Sequence, residues 1–195
     1  MNDRRTTFSR ILFAVAFALA GCAADLPTHY YEISALSSPA GATHPGAELF
    51  VAEIRVPDAV SRSEMVIQRT AHESDVLDGQ RWLSPMDEQI RRAVISDLQA
   101  DLPDLWVTRA RSTRVAAKRY TLRIEVQQVT LTKGGVARIV AAWTIEDDAD
   151  RTLRRERGTF ESQAADDGYE SIAIAASAAV ERLSGQITES LSRIR

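Results

Sequence analysis

A single cysteine, Cys22, rules out an intramolecular disulfide and any zinc site built on paired thiolates. Histidine is nearly as scarce. His29, His44 and His72 are scattered, none at ligand spacing, so no metal role is expected. Aromatic residues make up 6% of the chain, which suits a packed core better than an aromatic-lined carbohydrate cleft. Positive charge is not in excess either: the formal net charge is −3, which argues against nucleic acid as a partner. No apolar run reaches the roughly 20 residues that a membrane-spanning helix needs.

Catalytic signatures are missing as well. There is no G-x-S-x-G elbow, phosphate loop, G-x-G-x-x-G turn or H-E-x-x-H helix. The acidic run Asp147-Asp148-Ala149-Asp150 lacks the glycine and distal glutamate that fold a calcium loop, and it reads as a solvated turn. With 27 acidic side chains, neighbouring carboxylates arise by chance and mark no general acid and base. The expectation is therefore no catalytic residue, no metal and no cofactor.

What is present begins with an address. Arg4, Arg5 and Arg10 precede ten apolar residues, 11–20, a segment of signal-peptide rather than membrane-spanning length. It closes on Leu19-Ala20-Gly21-Cys22, which resembles the lipobox of bacterial lipoproteins. The one cysteine falls where that motif is lipidated, and more than one acyl chain makes anchoring effectively permanent. The reading is a signal at 1–21, a lipidated tether at 22–28 and one domain at 29–195. By resemblance to lipoprotein sorting, Ala23 rather than Asp after the cysteine directs the protein to the periplasmic side of the outer membrane.

The remainder reads as α+β. Tyr30, Tyr31, Ile33 and Leu36 are strand-like; residues 37–47, dense in Ser, Pro and Gly, read as a loop. Leu49, Val51, Ile54 and Val56 form a β run ended by Pro57, with further strands at 65–67 and 76–82. A helix opens at Ser84-Pro85-Met86-Asp87, with Ser84 as cap and Pro85 at the first helical position. Met86, Ile90, Val94, Leu98 and Leu102 make its apolar stripe, opposite Arg91, Arg92, Asp97 and Gln99, until Pro103 ends it.

Residues 105–108 read as a short strand. Tyr120, Leu122, Ile124 and Val126 then alternate with polar residues; parity breaks at Gln127-Gln128, predicting a β-bulge. Gly134-Gly135 predicts a hairpin returning through Ile139, Ala141, Trp143 and Ile145. Asp167 and Glu170 predict a capping box for a final helix striped by Ile172, Ala176, Val180, Leu183, Ile187, Leu191 and Ile194. Trp82 and Trp143 read as core residues.

Two basic sets stand out. Arg109, Arg111, Arg114, Lys118 and Arg119 form a connector that suits anionic head groups or an acidic partner surface, against the simpler reading of a solvated loop. Arg151, Arg154, Arg155 and Arg157 guard a strand at 152–162 that reads as an exposed edge. They suit docking or self-association into a homo-oligomer, against a role in keeping that edge soluble.

The order Y-Y-x-I-x-x-L at 30–36, V-P-D-A-V-S-R-S-E-M-V-I-Q-R at 56–69 and R-W-L-S-P-M at 81–86, with Ala141-Ala142-Trp143 later, resembles the PqiC/YmbA-type ABC-transport auxiliary lipoproteins. The resemblance implies a sheet with two packed helices, similar to the N-terminal domain of TolB. It further implies an outer-membrane-anchored periplasmic subunit, working with an MCE-domain protein and an inner-membrane permease to move lipids or other hydrophobic molecules between membranes. Two other readings stand beside it: an assembly lipoprotein that joins a partner sheet by β-augmentation, and an exported hydrolase, which the missing nucleophile constellation disfavours.

Overall fold

The computed structural model describes residues 27–36, 46–111 and 116–194. The predicted loop at 37–47 falls largely outside them, and Ala47 already belongs to a strand.

The two-residue alternation builds the main sheet. In β6 (Lys118–Leu131) Tyr120, Leu122, Ile124 and Val126 are buried while Arg123 and Glu125 are exposed. β6 pairs antiparallel with β7 (Val136–Asp147), and the register jumps from Val126↔Ala141 to Gln128↔Val140, leaving Gln127 as the extra residue of the expected bulge. The connecting turn is closed by the Gly135 N–H donating to the Thr132 carbonyl. Only Gly134 of the glycine pair needs a positive φ, +63°.

β8 (Thr152–Gln163) pairs antiparallel with β7 and ends the sheet on that side. On the other side β2 (Ala47–Val51) runs parallel to β6, and β5 (Trp106–Thr108) parallel to β2, giving the order β5-β2-β6-β7-β8.

The β run predicted through Val56 stops at Val51. Ala52 N–H bonds the Leu122 carbonyl and Arg55 N–H the Ile124 carbonyl, so three residues advance here against two of β6 and regular pairing is lost. β3 (Glu64–Thr70) and β4 (Glu73–Trp82) form the expected antiparallel pair. They do not extend the large sheet; with β1 (His29–Tyr31), parallel to β4, they make a separate three-stranded sheet ordered β1-β4-β3.

Two helices complete the α+β fold. α1 (Met86–Asp101) packs over β5, and α2 (Tyr169–Ser192) packs over β7 and β8 and against α1. Both predicted caps differ from what forms. Pro85 occupies the N-cap of α1, and the Ser84 hydroxyl accepts a hydrogen bond from Arg92 Nη2 instead (3.0 Å). Gly168 is the N-cap of α2, and Asp166 rather than Asp167 accepts the Gly168 N–H (2.7 Å).

The predicted α1 stripe is wholly buried, but a second row of α1 is buried too: Gln89, Ala93, Asp97 and Asp101, spaced by four. Asp97 therefore does not face solvent as the stripe alone predicts. Trp82 and Trp143 are core residues, and the Trp143 ring lies 6.1 Å from that of Phe160. Each large side chain buried this way contributes about 1.5–3 kcal/mol.

Candidate functional site: an interhelical crevice and an arginine groove

The segment that follows β1 is fastened between the helices by side chains rather than by strand pairing. Ile33 N–H donates to Gln89 Oε1 (2.7 Å), Ser34 N–H to Ser177 Oγ (3.0 Å) and Leu36 N–H to Asp97 Oδ1 (3.0 Å). Gln89 and Asp97 come from α1 and Ser177 from α2, so one extended segment is held by both helices. Ser177 passes its own proton to the Ala173 carbonyl, Ser184 donates to Asp97 Oδ2 (3.0 Å), and Gln89 Nε2 donates to the Ser84 carbonyl. These polar groups are buried and bonded, the condition under which burial is tolerated.

A groove of about 1070 Å³ opens between the exposed face of the β6–β8 strands and the N-terminal turns of α1. Its walls carry Arg55, Arg91, Arg109, Arg111, Arg123 and Arg155 with the acids Glu53, Asp87, Glu88 and Glu125. The sheet register explains the gathering. Arg123, Thr144 and Arg155 are direct partners on β6, β7 and β8, so two arginines flank one threonine about 10 Å apart at normal strand spacing.

Several of these cations already have work within the chain. Arg91 Nη2 donates to the Val51 and Arg109 carbonyls (both 2.7 Å), tying α1 to the ends of β2 and β5. Arg109 pairs with Glu88, and Arg123 Nε donates to Glu146 (3.0 Å). The Arg111 guanidinium lies 5.2 Å from the Phe50 ring centroid. The groove is thus a charged surface, part of whose charge is compensated internally.

The two basic sets do not map onto two sites. Arg109, Arg111 and Arg155 share the groove, although they come from different sets. Lys118 and Arg119 lie in β6, where Arg119 pairs with Glu48 (3.7 Å); Arg114 lies outside the described residues. Arg157 Nε donates to Gln127 of the bulge (2.7 Å), and Arg154, on the helix side of β8, donates to the Arg193 carbonyl at the end of α2.

Arg151 turns inward to its own acidic turn. Asp147 accepts from the Ala149 and Arg151 amides and from Arg151 Nε (3.0, 2.9 and 2.8 Å), and the Arg151 hydrogen bond holds its carboxyl below the usual carboxylate range. Asp147 is mostly covered, while Asp148, Ala149 and Asp150 are exposed as expected of a solvated turn. Sequence reading missed Arg55, Arg91 and Arg123, which lie far apart in the chain and meet only through the parallel pairing of β2 with β6. Cys22 lies outside the described residues.

Among the described residues no group of three His, Cys, Asp or Glu side chains converges to hold a metal. No helix among them is long and apolar enough to cross a membrane. Fold and surface together define an α+β domain with two helices packed on the large sheet and a charged groove bordered by the sheet and the start of α1. The chain belongs to the family of ABC-type transport auxiliary lipoprotein components, whose profile matches residues 31–188.

It is 25% identical over 158 residues to the intermembrane transport lipoprotein PqiC of Escherichia coli K12, covering 80% of this chain and 82% of that one, and equally to PqiC of Shigella flexneri. In fold it is similar to the crystal structure of an uncharacterized protein, with a TM-score of 0.72 and 19% identity over 85% of this chain and 99% of the other. A Xanthomonas campestris protein gives a TM-score of 0.68 at 16% identity, covering 82% and 92%.

Proposed function

We propose that this protein is a non-enzymatic periplasmic subunit of an MCE-type intermembrane transport system, lipid-anchored to the outer membrane through Cys22. In this role it docks an MCE-domain protein whose inner-membrane partner is a permease. The cargo is lipid or another hydrophobic molecule, and the consequence is envelope integrity. The observation that carries the reading is the identity to an intermembrane transport lipoprotein across 158 residues, following a lipobox-like Leu19-Ala20-Gly21-Cys22. Ala23 supports the outer rather than the inner membrane.

Cys22→Ser should abolish palmitate labelling and outer-membrane fractionation while the domain stays folded, because no other use for the thiol is apparent from the sequence. Label that persists in this variant removes the lipoprotein anchor. Tagged protein purified from membranes should carry an MCE-domain protein, identified by mass spectrometry.

One observation favours a second reading, an assembly lipoprotein that accepts a partner strand: β8 is a 12-residue edge of the large sheet. Co-purification of an envelope protein with no MCE domain would favour it.

A further inference from the structure

We propose that the surface formed by Tyr30, Leu36 and Ile174 is the face this domain lays against the bilayer. These are three of the large apolar side chains that remain exposed, at 61%, 44% and 59%, and they line one cavity of about 590 Å³. The other exposed large apolar residues, among them Val76 and Leu153, are not part of this cavity.

Chain length fixes which side of the domain a lipid anchor can reach. Four residues lie between Cys22 and Pro27, and the five steps at 3.3–3.6 Å each span about 18 Å at full extension. A domain of this size is about 40 Å across, so the leash is shorter than half its diameter. The face carrying the start of β1 must therefore turn toward the anchor, and Tyr30 lies three residues beyond Pro27.

The patch cannot swing independently of the domain. Residues 33–36 are held to α1 and α2 by the Gln89, Ser177 and Asp97 hydrogen bonds, and Ile174 sits on α2 itself. Orientation at the anchor thus becomes orientation of the whole molecule.

The chemistry suits an interface rather than a hydrocarbon core. A tyrosine ring with its polar tip belongs at head-group depth, with Leu36 and Ile174 supplying apolar contact. Glu32 and Glu170 line the same cavity, and Glu32 is half-compensated by Arg92 at 3.3 Å. Such carboxylates meet ammonium head groups favourably and phosphatidylglycerol unfavourably, so the surface fits a zwitterionic, ethanolamine-rich leaflet.

The inference rests on the reading that Cys22 is acylated, and the test separates the two. Acylation consumes the only native thiol, so Ile174→Cys or Leu36→Cys in the full-length lipoprotein can carry a single polarity-sensitive NBD label. Leu153→Cys and Val76→Cys serve as reference positions.

The purified lipoprotein is reconstituted into vesicles of phosphatidylethanolamine with a minor phosphatidylglycerol fraction. In the vesicles labels at 174 and 36 should emit further to the blue and more brightly than those at 153 and 76, and raising the phosphatidylglycerol fraction should weaken that shift. Palmitate on Cys22 with no shift at 174 and 36, or an equal shift at 153, overturns the bilayer face while leaving the anchor standing. A blue-shifted label at 174 that spin-labelled lipid in the vesicles fails to quench means that protein covers the patch, which also overturns it. Absence of palmitate overturns both.

Discussion

The crevice around residues 33–36 and the groove around Arg123 and Arg155 use similar polar side chains to opposite ends. In the crevice each buried acceptor meets one backbone amide: Gln89 takes Ile33, Ser177 takes Ser34, Asp97 takes Leu36. In the groove the cations sit at the surface, where long side chains can exchange partners. Burial decides the difference. A buried donor stripped of its acceptor costs about 1–3 kcal/mol, whereas an exposed ion pair contributes about 0–1 kcal/mol. The crevice is therefore built for attachment and the groove for exchange.

The reference for that comparison is the apolar core that both regions border. Trp143→Ala and Trp82→Ala should each destabilise the domain by about 3–5 kcal/mol, the range for deleting a large aromatic from a packed interior. Trp143→Ala also removes the donor to Ser190 Oγ. Denaturant midpoints measure both. A variant that kept its midpoint but lost partner binding would move that tryptophan from core to interface.

Next comes the crevice itself. Asp97→Ala strips the acceptor from Leu36 N–H, leaves the Ser184 hydroxyl the Val180 carbonyl alone, and should cost about 1–3 kcal/mol, with Asp97→Asn costing less because one acceptor survives. Gln89→Ala should act similarly through Ile33. Hydrogen exchange sharpens the test: the Ile33, Ser34 and Leu36 amides should lose protection before the β6–β7 ladder does. Uniform loss across the domain would mean that the crevice is ordinary core and not a local fastening.

How far these regions could be read from sequence follows from the range of the signals. The β6–β7 hairpin, its bulge at Gln127 and the edge strand β8 were legible because period, parity and turn residues are local. The parallel placement of β2 between β5 and β6 was not, since nothing within five residues of Leu49 encodes a partner some 70 positions away. Asp97 was misread because one apolar stripe was taken to exhaust the buried face of α1. The four-residue row Gln89, Ala93, Asp97, Asp101 was visible beside it, and an aspartate and a glutamine in such a row point to a second, polar contact. The groove failed for a related reason: Arg109, Arg111 and Arg155 were assigned to separate sets by position, and only the sheet register unites them.

The acidic turn lies between the two extremes, with Asp147 mostly covered and the residues after it exposed. Asp147 titrates below the usual carboxylate range because Arg151 hydrogen-bonds it. Its contribution to stability is fully present above the unfolded carboxylate value, where both states are charged. It is lost as pH falls through the lowered folded value, because the unfolded chain takes up the proton first. Melting curves from neutral to strongly acidic pH should show wild type more stable than Asp147→Asn near neutrality, with the gap closing in acid. A gap independent of pH would assign the effect to packing rather than charge.

The smallest expected effect on stability is also the one that bears most on docking. Of the arginines on β8, Arg155 and Arg157 lie on the groove side, opposite Thr144 and Ala142, while Arg154 lies on the helix side and bonds the end of α2. A pair reversal at 154 and 155 would therefore mix a surface effect with a packing effect. Arg155→Glu combined with Arg157→Glu separates them, because both positions are exposed and, among the described residues, the side-chain partner disturbed is Gln127. If the groove side of β8 is a docking or self-association surface, this double variant should lower partner recovery or sedimentation with a stability change of less than about 1 kcal/mol. Arg154→Glu should do the reverse, lowering the melting temperature with little effect on recovery. Unchanged sedimentation and pull-down in the double variant would leave these arginines only the task of keeping the edge soluble, and the docking face would then have to lie on the helices or at the Arg109 and Arg111 end of the groove.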